Sequence, residues 1–120
     1  MKISQFKKIY DNKPETETSV LSFLNSVKHG TWQKLILPIN AEPDKKKRKQ
    51  LKENTLPYVT LSGEFTKRVH NKNDSGLVAH SGFLCLDVDD STDLGRDWQN
   101  VTKDRFTFGA FRSASGLGLA

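Results

Sequence analysis

The sequence is poor in cysteine and in long apolar runs. Its single cysteine, Cys85, excludes an intramolecular disulfide and a zinc site built on cysteines. No stretch approaches the roughly 18 consecutive apolar residues of a transmembrane helix. The N-terminal segment lacks the apolar core and the small-residue cleavage site of a secretory signal. These absences predict a cytoplasmic protein without a membrane partner.

Charge is plentiful but unevenly distributed. The 120 residues suit one domain, and the 19 Lys and Arg against 14 Asp and Glu give a net charge of +5. Basic residues are concentrated at 45–52 and acidic residues at 87–93. This polarity suits a protein that holds phosphates through Lys or Arg and through a metal bound by carboxylates.

Hydrophobic spacing predicts three helices. Apolar residues recur at helical intervals from Val20 to Val27, with Ser19 as a possible N-cap and Gly30 after the last turn. A second, almost wholly polar helix is expected over 44–55, ended by Leu56-Pro57. A short helix is expected over 94–101.

The remaining segments are expected to be strands and loops. Residues 1–17 are predicted to be an extended lead-in containing at most a short strand. The segments 32–39, 58–65, 82–88 and 106–111 are predicted strands, the second interrupted at Ser62-Gly63, and 66–78 is a predicted loop. The nearly continuous apolar run at 82–88 is typical of a central strand covered on both faces. The predicted fold class is α+β, a mixed or antiparallel sheet flanked by helices.

Two carboxylates, Asp87 and Asp89, stand at the end of that apolar run. Residues i and i+2 of a strand project to the same face, so both would converge on one point. A divalent cation would relieve their repulsion, and oxygen ligands favour Mg²⁺ or Mn²⁺. The pair is therefore a candidate catalytic metal site. The alternative is that Asp89, Asp90 and Ser91 form a turn and cap the next helix.

Two other Asp-rich patterns fit this segment less well. An EF-hand loop would need Gly and Glu where Thr92 and Trp98 stand. The haloacid dehalogenase pattern matches in this motif, with Asp87 as nucleophile and Asp89 as acid or base. Too few residues follow for the parallel sheet of that phosphatase, which is the less favoured enzyme alternative.

Two further segments are candidates for phosphate contact. Arg112 is followed by Ser113, Ser115 and Gly116, in a segment whose open backbone N–H groups can hold phosphate oxygens. An ordinary Gly-rich turn is the alternative. The polar helix can contact a nucleic-acid backbone through its cations, or simply present a solvated face. These cations are Lys45, Lys46, Arg48, Lys49 and Lys52.

Taken in order, three segments resemble the VirE-type, primase-like N-terminal domain of bacterial mobile-element and phage proteins, which is related to the archaeo-eukaryotic primase-polymerase superfamily. The segments are LKENTLPYVTLSGEF, HSGFLCLDVDD and FTFGAFRSASGLGL, and they span residues 51–119. The resemblance implies a primase-type fold with RRM-like character. It also implies that residues 1–120 form one domain at the N-terminus of a longer protein with a C-terminal helicase-like region.

The resemblance assigns roles to both motifs. Asp87 and Asp89 match the metal-binding pair of the first primase motif, and Ser113, Ser115 and Gly116 match the nucleotide-binding second motif. The implied function is Mg²⁺- or Mn²⁺-dependent nucleotidyl transfer in replication of a mobile element, acting on single-stranded DNA and nucleoside triphosphates. A non-catalytic nucleic-acid-binding module is the alternative.

The sequence departs from the primase pattern in two places. The histidine common in the second motif is missing, and so is the third carboxylate, which lies on a later strand in primases. We therefore expect a domain that is incomplete at its C-terminus and catalytically inactive as this fragment.

Overall fold

A computed structural model describes residues 1–68 and 75–120. Within these residues, four helices combine with a three-stranded and a two-stranded antiparallel sheet, which confirms the predicted α+β class. The elements in chain order are β1 (Lys2–Phe6), β2 (Thr16–Ser19), α1 (Val20–Lys28), α2 (Gln33–Ala41), α3 (Lys45–Thr55), β3 (Tyr58–Thr60), β4 (Gly63–Phe65), β5 (Leu77–His80) and α4 (Leu94–Lys103).

The first sheet has the order β2-β1-β3, with β1 at its centre. The polar N-terminal segment therefore contributes a central strand, a larger role than the predicted lead-in. Ile3 and Phe6 of β1 are fully buried and form the core with Val20 of α1 and Ile39 of α2. Burial of these side chains is the main term that holds the helices on the sheet.

A buried serine joins the two sheets. The Ser4 hydroxyl accepts a hydrogen bond from the Phe65 N–H (2.8 Å) and donates one to the Phe65 carbonyl (3.1 Å). The predicted interruption of 58–65 is confirmed one residue earlier than Ser62-Gly63, because the chain turns at Leu61 and Ser62 and passes from one sheet to the other. There β3 pairs with β1, whereas β4 pairs with β5.

The three predicted helices are confirmed, and side-chain caps define their starts. The Ser19 hydroxyl accepts from the Ser22 N–H at 3.1 Å, and Asp44 Oδ1 accepts from the Lys47 N–H at 2.8 Å. Asp93 Oδ1 accepts from the Arg96 N–H at 3.0 Å. Oxygen caps of this kind satisfy N–H groups that have no partner within the helix. None of the helices in the described ranges is long and apolar enough to cross a membrane.

The predicted strand at 32–39 is wrong, because this segment forms α2. Its buried side is formed by Trp32, Ile36 and Ile39, which follow the i, i+4, i+7 spacing of a helix. Leu35 and Leu37 lie between them and are exposed, so the run looked continuously apolar. Pro38 lies inside this helix, where it donates no backbone hydrogen bond.

The predicted strands at 82–88 and 106–111 are not formed as sheet strands. Within the described residues, pairing in these segments is restricted to their C-terminal ends, at Val88 and Phe111. The predicted loop at 66–78 ends earlier than expected, since β5 begins at Leu77. Its residues 69–74 lie outside the described part of the chain.

Candidate functional site

The acidic pair and the Ser/Gly segment lie side by side. The Val88 N–H donates to the Leu119 carbonyl at 2.9 Å, and the Leu119 N–H donates to the Val88 carbonyl at 3.0 Å. On its other side, Ala120 exchanges two hydrogen bonds of 2.9 Å with Phe111. Residues 118–120 therefore form a short extended segment between the acidic pair and the start of the Ser/Gly segment, antiparallel to both.

The register of this ladder defines which residues share a face. Because Val88 lies opposite Leu119, Asp89 lies opposite Gly118, and Gly118 lies opposite Ser113. Side chains alternate along extended chains, so Asp89 and Ser113 belong to the same face, separated by a residue without a side chain. Arg112 belongs to the opposite face, with Val88.

Gly118 is required for this close approach. A Cβ at this position would overlap the Val88 carbonyl oxygen and would lie 3.5 Å from the Asp89 Cα. Gly118 is buried, as is the neighbouring Leu119, which is 2% exposed. Any larger residue would push the acidic segment away from the Ser/Gly segment.

The Ser/Gly segment holds its own shape by hydrogen bonds. Ser113 Oγ accepts from the Gly118 N–H at 3.1 Å, and the Ser113 carbonyl accepts from the Gly116 N–H at 2.9 Å. Gly116 has a φ of +76°, and a Cβ there would meet Asn40 Nδ2 at 2.5 Å. Among the described residues, the N–H groups of Ala114 and Ser115 donate no hydrogen bond. These two groups, and not that of Gly116, are available to an anion.

Neither member of the acidic pair caps a helix. Asp93 caps α4, and Ser91 is engaged elsewhere, because its hydroxyl donates to Asp97 Oδ2 at 2.5 Å. Asp89 is exposed, and its carboxylate has no hydrogen-bond or ion-pair partner among the described residues. The alternative in which Asp89, Asp90 and Ser91 form a turn and cap the next helix is therefore wrong about the cap, whereas the φ of +45° at Asp90 fits a turn.

Asp87 is also exposed and has one weak partner. The Cys85 thiol donates to Asp87 Oδ1 over 4.0 Å. Desolvation, and secondarily the negative charge of Asp87, raises the pKa of this thiol, so it stays protonated at neutral pH. The described residues contain no group of three or more His, Cys, Asp or Glu side chains arranged to hold a metal. A cation here would take two carboxylates and complete its shell with water or phosphate oxygens.

The basic helix begins beside the acidic segment. Lys45 Nζ lies 3.7 Å from Asp90 Oδ2, although both side chains are largely exposed and the pair contributes little stability. At 100° per residue, one side of α3 presents a stripe of cations with i, i+3, i+4, i+7 spacing. This stripe, called here the cationic stripe, consists of Lys45, Arg48, Lys49 and Lys52. Lys46 lies at its margin and Lys47 on the other side.

Two contacts of this site were not expected from the sequence. Asp90 was expected only as a turn residue, yet it is the partner of Lys45 and has a φ of +45°. Asn40, at the end of α2, packs against Gly116. The strand prediction for 32–39 hid the role of Asn40, whereas the Asp-Asp-Ser sequence was a fair signal of a turn with unusual backbone geometry.

The described ladders are all antiparallel, so they offer no parallel sheet of the kind that the haloacid dehalogenase alternative needs. By fold, the chain is an α+β domain with a carboxylate pair next to a Ser/Gly segment. Residues 50–120 match the model of one family, the BT4734-like N-terminal domain. Since the match covers more than half of the chain, the protein belongs to this family. No curated protein and no solved structure matches the chain.

Proposed function

We propose that this domain binds the phosphates of a nucleotide and of single-stranded nucleic acid with the help of a divalent cation, as a primase-polymerase-like domain. The observation that carries the proposal is the short ladder through Val88, Leu119 and Phe111. It joins two motifs that are more than 20 residues apart in sequence and that primase chemistry uses together.

The metal step of the proposal rests on Asp87 and Asp89. Both carboxylates are exposed and take no part in helix capping, so they are free to bind Mg²⁺ or Mn²⁺. Asp87 and Asp89 would hold the cation, which would supply positive charge for the phosphate oxygens of a nucleotide. Ser113 lies across Gly118 on the same face, and its hydroxyl, which accepts from the Gly118 N–H and lies 3.1 Å from Ser115 Oγ, would contact that phosphate.

The phosphate step rests on the free N–H groups of Ala114 and Ser115 and on the cationic stripe. Backbone N–H groups in a turn favour an anion without any side-chain charge. The stripe begins at Lys45 beside Asp90, so a strand whose phosphates follow α3 would arrive at the acidic segment. Arg112, on the opposite face of the ladder, would reach a phosphate only around the edge of the segment.

We infer binding, and not catalysis, as the activity of residues 1–120 alone. Metal-assisted nucleotidyl transfer fixes the cations with more carboxylates than this pair supplies. Nucleotide incorporation by residues 1–120 that is lost in Asp87→Ala would contradict this inference. It would mean that Asp90, Asp93 or a second copy supplies the missing ligand.

Calorimetric titration with MnCl₂ and a non-hydrolysable nucleoside triphosphate tests the proposal. We expect Mn²⁺-dependent binding that falls by about tenfold or more in the Asp87→Asn/Asp89→Asn variant, while the melting temperature is unchanged because both side chains are exposed. Glu15→Gln, an exposed carboxylate remote from the ladder, is the control and should bind normally. Equal affinity in the double variant would refute the site.

A further variant separates the metal from the phosphate. Ser113→Ala removes the hydroxyl, and with it the acceptor of the Gly118 N–H, but leaves both carboxylates, so Mn²⁺ alone should still bind and the triphosphate should bind more weakly. If Ser113→Ala leaves triphosphate binding unchanged, the Ser/Gly segment is an ordinary turn and only the metal half of the proposal stands.

A further inference from the structure

The loop 7–15, which joins β1 to β2, contacts the C-terminal end of α3 and forms an open cavity of about 310 Å³ there. The cavity is lined by Ile9, Tyr10 and Asn12 of the loop, by Glu53 of α3 and by Arg68. This volume is at the lower end for small-molecule sites, so the cavity has room for one flat group and not for a larger ligand. It lies at the opposite end of α3 from the acidic segment.

Tyr10 presents an exposed aromatic ring at this cavity. The residue is 65% exposed, and its ring makes no aromatic or cation contact within the described residues. Its hydroxyl is nevertheless fixed, because it donates to Glu53 Oε2 at 2.6 Å. This hydrogen bond raises the pKa of the phenol, so the hydroxyl stays protonated at neutral pH and keeps donating. The ring is therefore held by its polar end, with much of its surface open to solvent.

Further hydrogen bonds fix the loop that carries this ring. The Lys8 N–H donates to Asp11 Oδ2 at 2.9 Å, and the Asp11 N–H donates to the Lys8 carbonyl at 3.1 Å. The Arg68 N–H donates to the Asn12 carbonyl at 2.7 Å, and the Arg68 guanidinium donates to the Ile9 carbonyl. A ring that is held in place before binding loses less conformational freedom when a ligand stacks on it.

Cations from two elements lie near the ring. Glu53 connects Tyr10 to the cationic stripe, because its second carboxylate oxygen, Oε1, lies 3.8 Å from Lys49 Nζ. Arg68 lines the same cavity, and its guanidinium carbon lies 4.7 Å from the centre of the Tyr58 ring. A nucleotide whose base stacks at this cavity would therefore have cations within reach of its phosphates.

We propose that Tyr10 is a stacking platform for one base of the single-stranded DNA that the cationic stripe binds, an inference that rests on the nucleic-acid part of the proposed function. The step from Lys45 to Glu53 spans about 12 Å of the axis of α3. A strand that follows the stripe away from the acidic segment therefore arrives at Tyr10. Stacking uses the π-face that every base has, so this contact adds affinity with little preference among bases.

Fluorescence anisotropy with two labelled strands tests the platform. One strand is a short oligothymidylate, and the other is an abasic strand of equal length, which keeps the phosphates but has no bases. We expect Tyr10→Ala to weaken binding of the oligothymidylate by about tenfold and to leave binding of the abasic strand nearly unchanged. The slope of log K against log salt should stay that of the wild type, because no phosphate contact is lost. Equal losses on both strands, or no loss on either, would overturn the proposal.

Two further variants separate the ring from its hydroxyl and from other exposed rings. Tyr10→Phe keeps the ring but loses the hydrogen bond to Glu53, so its affinity should lie between those of the wild type and Tyr10→Ala. If it binds as weakly as Tyr10→Ala, the hydroxyl is the contact and stacking is wrong. Phe106→Ala removes a ring that is 81% exposed and belongs to another region, and it should bind normally. An equal loss in Phe106→Ala would contradict a specific platform at Tyr10.

The same measurements separate this inference from the proposed function. Lys45→Gln/Lys49→Gln should make the salt slope shallower and leave the preference for the oligothymidylate over the abasic strand. If that slope changes as expected while Tyr10→Ala has no effect, the cationic stripe stands and the stacking platform is wrong. If the wild type binds neither strand, the nucleic-acid part of the proposed function is wrong, and the platform with it.

Discussion

The β2-β1-β3 sheet and the 82–120 region use similar apolar residues to different effect. In the sheet, Ile3 and Phe6 are fully buried and each strand has a hydrogen-bonded neighbour. In the later region, Leu84, Phe106 and Phe108 are exposed, and most of the extended backbone has no partner among the described residues. The difference shows that apolar sequence alone does not make a core, because a strand also needs a partner that covers it.

The same contrast separates stability from function. The sheet and the helices packed on it contain most of the buried apolar side chains, while the acidic pair and the Ser/Gly segment lie in a region where many large apolar side chains are exposed. A region that buries few apolar side chains can rearrange on binding a ligand at a lower cost in free energy than the core can. The comparison therefore predicts large stability effects in the sheet and mainly binding effects in the 82–120 region.

The largest effect is expected for Phe6→Ala. Phe6 is fully buried, so its truncation removes transfer free energy and leaves a cavity. The free energy of unfolding should fall by about 3–5 kcal/mol in chemical denaturation. Phe106→Ala, the matched variant in the open region, should change it by less than about 0.5 kcal/mol because the side chain is already in water. Equal losses would break the comparison between the two regions.

A smaller loss is expected for Gly118→Ala. The added Cβ overlaps the Val88 carbonyl and pushes the acidic segment off the Ser/Gly segment. Stability should fall by about 1–3 kcal/mol, and Mn²⁺-dependent triphosphate binding should weaken together with it. Gly95→Ala is the control, because its Cβ would meet only Asp93 Oδ1 at an ordinary 3.7 Å. Normal triphosphate binding by Gly118→Ala would show that the ladder does not define the site.

Substitutions in the cationic stripe should weaken nucleic-acid binding without lowering the stability of the fold. In Lys45→Gln/Lys49→Gln, the slope of log K against log salt for single-stranded DNA should become shallower by about 0.7 per lost phosphate contact. Lys13→Gln/Lys47→Gln removes the same charge outside the stripe and should leave the slope nearly unchanged. Identical slopes in the two double variants would reduce α3 to a solvated helix.

The smallest effect concerns pH and a surface pair on the sheet. Lys2 Nζ donates to Glu17 Oε2 at 2.8 Å, and this hydrogen bond is the main reason that the pKa of Glu17 lies below its ordinary value of 4.5. A lowered pKa in the folded state contributes stability above the ordinary pKa, and this contribution is lost as the pH falls through the folded pKa.

Glu17→Gln tests that pair. It should make the melting temperature less sensitive to acid below about pH 4.5, with a slight loss at neutral pH. Glu15→Gln, an exposed neighbour without an ion pair in the described ranges, should keep the wild-type pH profile. If both variants show the same profile, the ion pair contributes nothing measurable.

Local sequence signals predicted the helices well and the sheet partners poorly. Ser19, Asp44 and Asp93 cap helices through bonds to residues three positions away, so short-range pattern suffices to find them. The partners of β1 are separated from it in sequence, and nothing in its polar sequence marks it as a central strand. At 32–39, the exposed Leu35 and Leu37 lie between the buried apolar residues, so the helical spacing of the buried residues was not apparent in the sequence.

In the candidate site, too, local features were predictable from the sequence and contacts between distant segments were not. The two motifs were recognisable as sequences, since carboxylates after an apolar run and a Ser/Gly segment are local features. Their adjacency depends on the pairing of Val88 with Leu119, a contact across about 30 residues that no local pattern encodes. The sequence could not indicate that Gly118 keeps Asp89 and Ser113 close, or that Arg112 lies on the opposite face.

The adjacency of the acidic pair and the Ser/Gly segment in one metal-dependent site is tested most directly by Mn²⁺ broadening of amide NMR signals. We predict that low Mn²⁺ concentrations broaden residues 87–90 and 113–118 together, while β1 and β2 stay sharp. The Asp87→Asn/Asp89→Asn variant should lose this broadening. Broadening confined to 87–90, with 113–118 unaffected, or uniform broadening over the whole chain, would contradict the proposed site.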